Sequence, residues 1–187
     1  MATQRPKLVD AEVLEALTHP VRLDVLGYLM SDGPATASVC ARAVGDSPSN
    51  CSYHLRVLAR HGLVRPEEST DGRERPWRAT ITGFSLEDDP TGPGATPTAA
   101  VLAAALQLDQ RLSREYLAGR RQVAKPWRAA DAFATYTLRL TPAELQSLVQ
   151  RLDDLIRPFL AATREDAPPG AASVHVSLQA FPRARPR

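Results

Sequence analysis

The chain has 187 residues, room for one small domain and a second element but hardly for two large domains. Its 23 basic and 21 acidic residues leave a formal net charge of +2, so overall electrostatics neither establish nor exclude a nucleic-acid partner. Two cysteines are too few for a disulfide framework, no run approaches the ~18 consecutive apolar residues of a membrane span, and Met1 to Asp10 has no apolar signal core, so a cytoplasmic, reducing location is expected.

Asp10 to Ala16 opens the pattern as a short amphipathic stretch, with Val13, Leu14 and Leu17 as apolar positions. After His19, Pro20 can occupy the first position of a new helix, where its missing N–H costs nothing. Val21, Leu23, Val25, Leu26, Leu29 and Met30 make that helix the most apolar of the chain, and Asp32-Gly33-Pro34 ends it. Thr36 or Ser38 can cap a third helix carrying Val39, Cys40, Ala43 and Val44. Gly45-Asp46-Ser47-Pro48 then forms a turn into a fourth, with Ser47 as N-cap and Pro48 in its first turn. Cys51, Leu55 and Leu58 mark the buried stripe of this helix, leaving Ser49, Asn50, Ser52, Tyr53 and Arg56 on the outer face. Short polar side chains on an outward helical face suit the major groove, because they reach base edges while the backbone approaches closely. His61-Gly62 stops the helix with a glycine free to take the left-handed cap. Arg65 to Ser69 and Trp77 to Thr82 read as two strands, and Asp71-Gly72 between them is a hairpin signal.

Local charge leans the same way without deciding the matter. From Arg42 to Arg78 seven arginines face five acids, an excess that a solvated surface would also show. Arginine is the better side chain for phosphate forks and narrow minor grooves.

The order helix, helix, helix, recognition helix, hairpin, with Leu17-Thr18-His19-Pro20-Val21-Arg22-Leu23-Asp24-Val25-Leu26, Ser52-Tyr53-His54-Leu55-Arg56-Val57-Leu58, Gly62-Leu63-Val64 and Gly72-Arg73, resembles winged-helix repressors of the ArsR type, in the branch with a longer C-terminal half. The resemblance covers roughly residues 8 to 84. It implies a homodimeric, sequence-specific DNA-binding regulator on a near-palindromic double-stranded site. Carried onto these positions, Ser47, Ser49, Asn50, Ser52 and Tyr53 lie at the bases or the helix start, His54 near the groove edge, Arg56 and Arg60 on phosphate, and Arg73 with Arg75 or Arg78 in the wing contact. In such proteins the helix after the wing usually builds the dimer interface.

Residues 85–97, rich in proline and glycine, read as a linker. Beyond it, Thr98 to Arg121 is a long alanine-rich helix with Leu102, Ala105, Leu106, Asp109, Leu112 and Tyr116 at helical spacing, suited to a partner helix or to its own domain. Ala132 to Leu140 alternates as a strand does, Thr141-Pro142-Ala143-Glu144 is a capping box, and Leu145 to Leu160 carries a broad apolar stripe. Val174, Val176, Leu178 and Ala180 alternate again, giving a strand-helix-strand unit too small to bury both faces alone. Tyr116, Trp127, Phe133 and Tyr136 either fill a core or wall a pocket for a small, flat, largely apolar effector.

No glycine-rich phosphate loop, Gly-x-Ser-x-Gly or His-Glu-x-x-His motif occurs, so no enzyme, catalytic residue or cofactor is expected. Cys40 stands without a second cysteine one residue away and residues 98–121 contain no histidine, so no metal site is expected either. Cys40 and Cys51 are small core residues or, alternatively, a redox pair. The expected architecture is α+β: a winged helix-turn-helix domain at 1–84, a linker at 85–97, and a dimerisation helix with a small α/β unit at 98–187. The expected function is a homodimeric DNA-binding repressor, with a winged-helix protein-interaction module that lacks specific DNA binding as the alternative.

Overall fold

The computed structural model describes residues 7–8, 10–68, 75–86, 95–161, 164 and 166–183. After a two-residue strand β1 (Lys7–Leu8) come four helices, α1 (Ala11–Leu17), α2 (Pro20–Asp32), α3 (Ala37–Val44) and α4 (Pro48–Arg60). Three of them begin where a side chain supplies a missing acceptor: Asp10 for the N–H of Glu12, Thr36 for Val39 and Ser47 for Asn50. Proline opens α2 and α4, as its fixed φ and absent donor allow. Gly45 (φ 72°) and Gly62 (φ 70°) take the left-handed conformation that turns the chain after α3 and α4.

These helices close around one core. Leu14 and Leu17 of α1, Leu26 and Leu29 of α2, Cys40 of α3 and Leu55 and Leu58 of α4 are at most 2% exposed and belong to one contiguous cluster. A buried leucine contributes about 1.5–3 kcal/mol, so this cluster outweighs any cap or surface ion pair in holding the helices together.

Strands β2 (Val64–Pro66) and β3 (Trp77–Ala79) pair antiparallel, with Arg65 opposite Arg78. Ala35 and Trp77 exchange backbone hydrogen bonds of 3.0 and 2.8 Å, which ties the hairpin to the loop before α3. Both strands are shorter than the sequence pattern suggests, and the Asp71-Gly72 turn with Arg73 lies outside the described residues. Strand β4 (Ser85–Leu86) pairs parallel with β1, a contact the sequence did not announce because each strand is two residues long.

The long helix α5 runs from Ala95 to Gly119, so residues 95–97 of the expected linker are helical. Pro97 falls in the first turn, where its missing N–H leaves no intrahelical bond unmade. Thr98, Val101 and Ala104 are buried, and Val101 and Ala104 join the core of the helical body, with Ala105 and Leu108 packed beside them. Arg111 also reaches Asp24 on α2 at 2.7 Å. The inward stripe of α5 is therefore 98, 101, 104, 105 and 108; Leu102 and Leu106, expected on the packing face, are 47% and 41% exposed.

The helices α6 (Lys125–Ala130) and α7 (Pro142–Ile156) follow. The capping box at α7 is complete: Thr141 accepts from the N–H of Glu144, and the Glu144 carboxylate accepts from the N–H of Thr141 at 2.7 Å. Residues 132–140 and 174–180, read from sequence as strands, join no ladder among the described residues.

Candidate nucleic-acid interface

Helix α4 is positioned by its buried side. Cys51, His54, Leu55, Val57 and Leu58 are buried, which turns Ser49, Asn50, Tyr53, Arg56 and Arg60 to solvent and leaves Ser52 half-buried between them. Tyr53, Arg56, Ala59 and Arg60 line a shallow depression along this outer face. The Arg56 Nε donates back to the Ser52 carbonyl at 3.1 Å, so its guanidinium is drawn along the helix surface.

The start of α4 is more ordered than the sequence implies. Asp46 accepts from the N–H of Ser47 and from the Asn50 amide, both at 2.6 Å, while the N–H of Asn50 donates to the Ser47 hydroxyl at 3.2 Å. The backbone bond from Ser47, then the Asn50 amide, hold the Asp46 carboxyl below its ordinary range. Asn50 therefore stands exposed but pre-oriented, with one amide hydrogen committed to Asp46.

His54 is a correction. Expected at the groove edge, it is 3% exposed on the inner side of α4. Its ring lies 4.5 Å from that of His19 and 5.4 Å from that of Tyr53, and neither ring nitrogen has a partner. Burial first, then His19 and Arg22, push its pKa below the ordinary value, with Asp46 opposing. The helical phase carried the signal: position 54 is three after Cys51 and four before Leu58, on the stripe. Arg22, absent from the sequence-based site, stands beside this pair with its Nε buried and unpartnered.

In the wing, Arg65 and Arg75 are exposed. Arg78 is instead ion-paired with Glu67 across the hairpin, its Nη2 also lying 3.3 Å from Glu67 Oε2, so much of its charge is already balanced. Arg65 was counted in the sequence only for its charge; the register sets it at the base of the wing opposite Arg78.

The other sequence-marked groups are scattered. Cys40 and Cys51 are buried free thiols, and burial followed by the neighbouring Cys51 pushes Cys40 up to about 11, which keeps it protonated and unreactive. Among the described residues no group of three or more His, Cys, Asp or Glu could hold a metal ion, and no helix is long and apolar enough to cross a membrane. In the C-terminal half Tyr116 stacks on Phe133 with ring centroids 6.1 Å apart, and its hydroxyl donates to Asp131 at 2.7 Å. Arg120 clamps the same carboxylate through Nε at 2.7 Å and Nη2 at 3.1 Å. Trp127 and Tyr136, grouped with them from sequence, stand 41% and 79% exposed, so the four rings enclose no chamber in the single chain.

Comparison with known proteins picks out the same part of the molecule. A family model described as a helix-turn-helix domain matches residues 17–67, from the end of α1 through β2. Curated proteins give no match. Among solved structures, a transcriptional regulator homologue from Pyrococcus horikoshii OT3 is 26% identical over 52% of this chain and 87% of its own, with a TM-score of 0.33. Two structures of ZitR from Lactococcus lactis, a substituted apo form and one described as a zinc-responsive MarR family member, are 16% and 18% identical. They cover 78% and 85% of this chain and 85% and 81% of their own, with TM-scores of 0.32 and 0.30. The family match and the packing of α2, α3 and α4 agree: residues 17–67 are a helix-turn-helix domain, carried in a winged-helix body.

Proposed function

We propose that this chain is a homodimeric, sequence-specific DNA-binding transcriptional regulator of ArsR-like type that acts as a repressor. The observation that carries the reading is the two-sided character of α4: one face is locked into the core by Cys51, Leu55 and Leu58, and the other presents Ser49, Asn50, Ser52, Tyr53, Arg56 and Arg60. Such a helix enters a major groove with Asn50 and the hydroxyl side chains at base edges and the arginines on phosphate. Arg65 and Arg75, with Arg73 beyond the described residues, extend the contact through the wing. A dimer filling successive grooves near a promoter excludes polymerase, which favours repression.

Selection of bound fragments from a random duplex pool by the purified full chain tests this. The expected product is a near-palindromic site with half-sites about one helical turn, or a small multiple of it, apart, bound less tightly as salt rises. The competing reading, a protein-interaction module, draws on two local neutralisations: Asp46 at the tip of α4 and Glu67 on Arg78. Absence of any enriched duplex at low salt would favour it. Effector control rests on the stacked Tyr116 and Phe133 with Trp127 and Tyr136 nearby in sequence; an apolar compound that raises the melting temperature should then also shift operator affinity.

A further inference from the structure

The contact that seats α4 on α2 contains a histidine with nothing to bond. His54 is 3% exposed on the inner side of α4, and both its ring nitrogens are buried without a hydrogen-bond partner. Across the contact lies the ring of His19, 4.5 Å away and tilted by 45°. His19 is the N-cap residue of α2, and α2 alone among α1 to α4 begins without a side-chain cap. Arg22, one turn further along α2, acts on His54 and leaves its own Nε buried and unpartnered.

An imidazole so placed fits only while neutral. The neutral ring has one donor and one acceptor, whereas the imidazolium has two donors and a positive charge. Arg22 and, when charged, His19 face it from α2 with like charge. On α4 itself the Tyr53 ring stands 5.4 Å away. Glu15 of α1 acts on Arg22. Asp46, in the turn before α4, is the acid that acts on both histidines, and it already holds the N–H of Ser47 and the Asn50 amide. A proton on His54 therefore buries an unpaired charge unless α4 shifts and lets the ring reach water or Asp46. Either movement disturbs the outer face. The first lifts α4 from α2, and the second competes with Asn50 for its carboxylate.

We propose that the His19–Arg22–His54 contact is a proton-operated latch: neutral His54 seats α4 on α2, and protonation of His54 unseats it, so that acidification releases DNA. The inference rests on the DNA-binding reading above and adds to it a control that needs no effector molecule. The sign of the effect is diagnostic. His19 is exposed and His61, at the end of α4, is half-buried, so a proton on either adds positive charge and strengthens phosphate contacts. A loss of binding on acidification points instead to a group buried behind α4.

Titration of the full chain against its selected duplex from pH 7.5 to pH 5, alongside proton NMR of the His54 ring, tests the latch. Affinity should fall on the order of fivefold, in step with the titration of that ring. His54→Gln, neutral throughout, should bind with little change over the same range. Arg22→Gln removes a cation that opposes the charged ring, so its loss of affinity should be centred at a higher pH than in the wild type. If His54→Gln did not fold, that displacement would decide, and a centre unmoved or moved downward would overturn the latch. A wild-type affinity that is constant or rises toward pH 5, or a His54→Gln variant that loses as much as the wild type, would overturn it too. If no duplex is bound at any pH, the DNA-binding reading falls and hydrogen exchange decides the latch by itself. Protection factors of the α4 amides that drop on acidification in the wild type but not in His54→Gln support it; equal behaviour of the two overturns it.

Discussion

The helical body and the C-terminal third obey the same physical rules and reach opposite results. In the body, α1 to α4 and the first half of α5 pool their apolar stripes, and side chains such as Leu17, Val25, Leu26, Leu55 and Leu58 are completely buried. Beyond Ala104 no described residue is buried at all, although α7 has the best-formed cap in the chain. Local signals are therefore as strong in the second region as in the first; what it lacks is a second layer. A well-capped amphipathic helix between two alternating segments is half of a packed unit, whereas a helix-turn-helix domain is whole.

The sharpest way to break that contrast is a pair of leucine deletions. Leu55→Ala, in the centre of the body, should cost ~2–5 kcal/mol in denaturant unfolding, the usual range for a buried leucine. Leu155→Ala on α7, at 69% exposure, should cost less than ~0.5 kcal/mol in a dilute sample. Equal costs would mean that the C-terminal third has a core of its own.

Next in size is the boundary between the regions. A chain ending at Pro97 loses Val101 and Ala104 from the core and should be destabilised by roughly 3 kcal/mol relative to a chain ending at Gly119. Calorimetry on the two truncations checks it; identical stabilities would assign α5 wholly to the C-terminal region.

Within the body, DNA contacts should grade by how free each group is. Asn50→Ala should cost ~1–3 kcal/mol on the selected site and little on random duplex. Arg60→Ala should weaken all duplexes and flatten the salt slope by about one unit. Arg78→Ala should do less than Arg60→Ala, since Glu67 already balances Arg78. Titrations at several salt concentrations separate the three.

The smallest expected effect is acid sensitivity centred on His54. Its folded-state pKa lies below the ordinary value through burial, with His19 and Arg22 adding to the shift and Asp46 opposing. The unfolded chain therefore binds the proton more readily. Stability from keeping His54 neutral is fully present above its ordinary pKa of about 6.5 and is lost as pH falls through the depressed folded value. Unfolding of His54→Gln should show a shallower loss over that window, and an unchanged slope would assign the acid sensitivity elsewhere.

Much of the body was legible because its rules are local. Ser47 as cap, Pro20 and Pro48 at first positions and Gly62 as the left-handed stop are all decided within a turn of chain, as is the Thr141–Glu144 box of α7 in the C-terminal third. The helix-turn-helix order followed from those boundaries and the stripes between them. His54 was misplaced when its polarity was weighed above its phase. The engagement of Asn50 by Asp46 and of Arg78 by Glu67 was not legible, because such pairings depend on side-chain choice and cross-strand register.

The sequence by itself determined where α2 and α4 begin and end, where α7 begins, and which face of α4 looks outward, since these depend on spacing and on hydrogen-bond partners at most four residues away. It did not announce α6, and it began α5 three residues late. Tertiary structure alone decided which of two apolar stripes on α5 is used. Val101, Ala104 and Leu108 turn inward and Leu102 and Leu106 outward because α1 and α2 offer a complementary surface to one stripe, which no pattern within α5 can reveal. It alone also brought the Ser173 hydroxyl to the Ser31 carbonyl and His175, Ser177 and Gln179 to the Asp109 carboxylate. Alternation groups those four polar side chains in one row; their partners Ser31 and Asp109, about 70 or more residues away in the chain, are set by the tertiary structure.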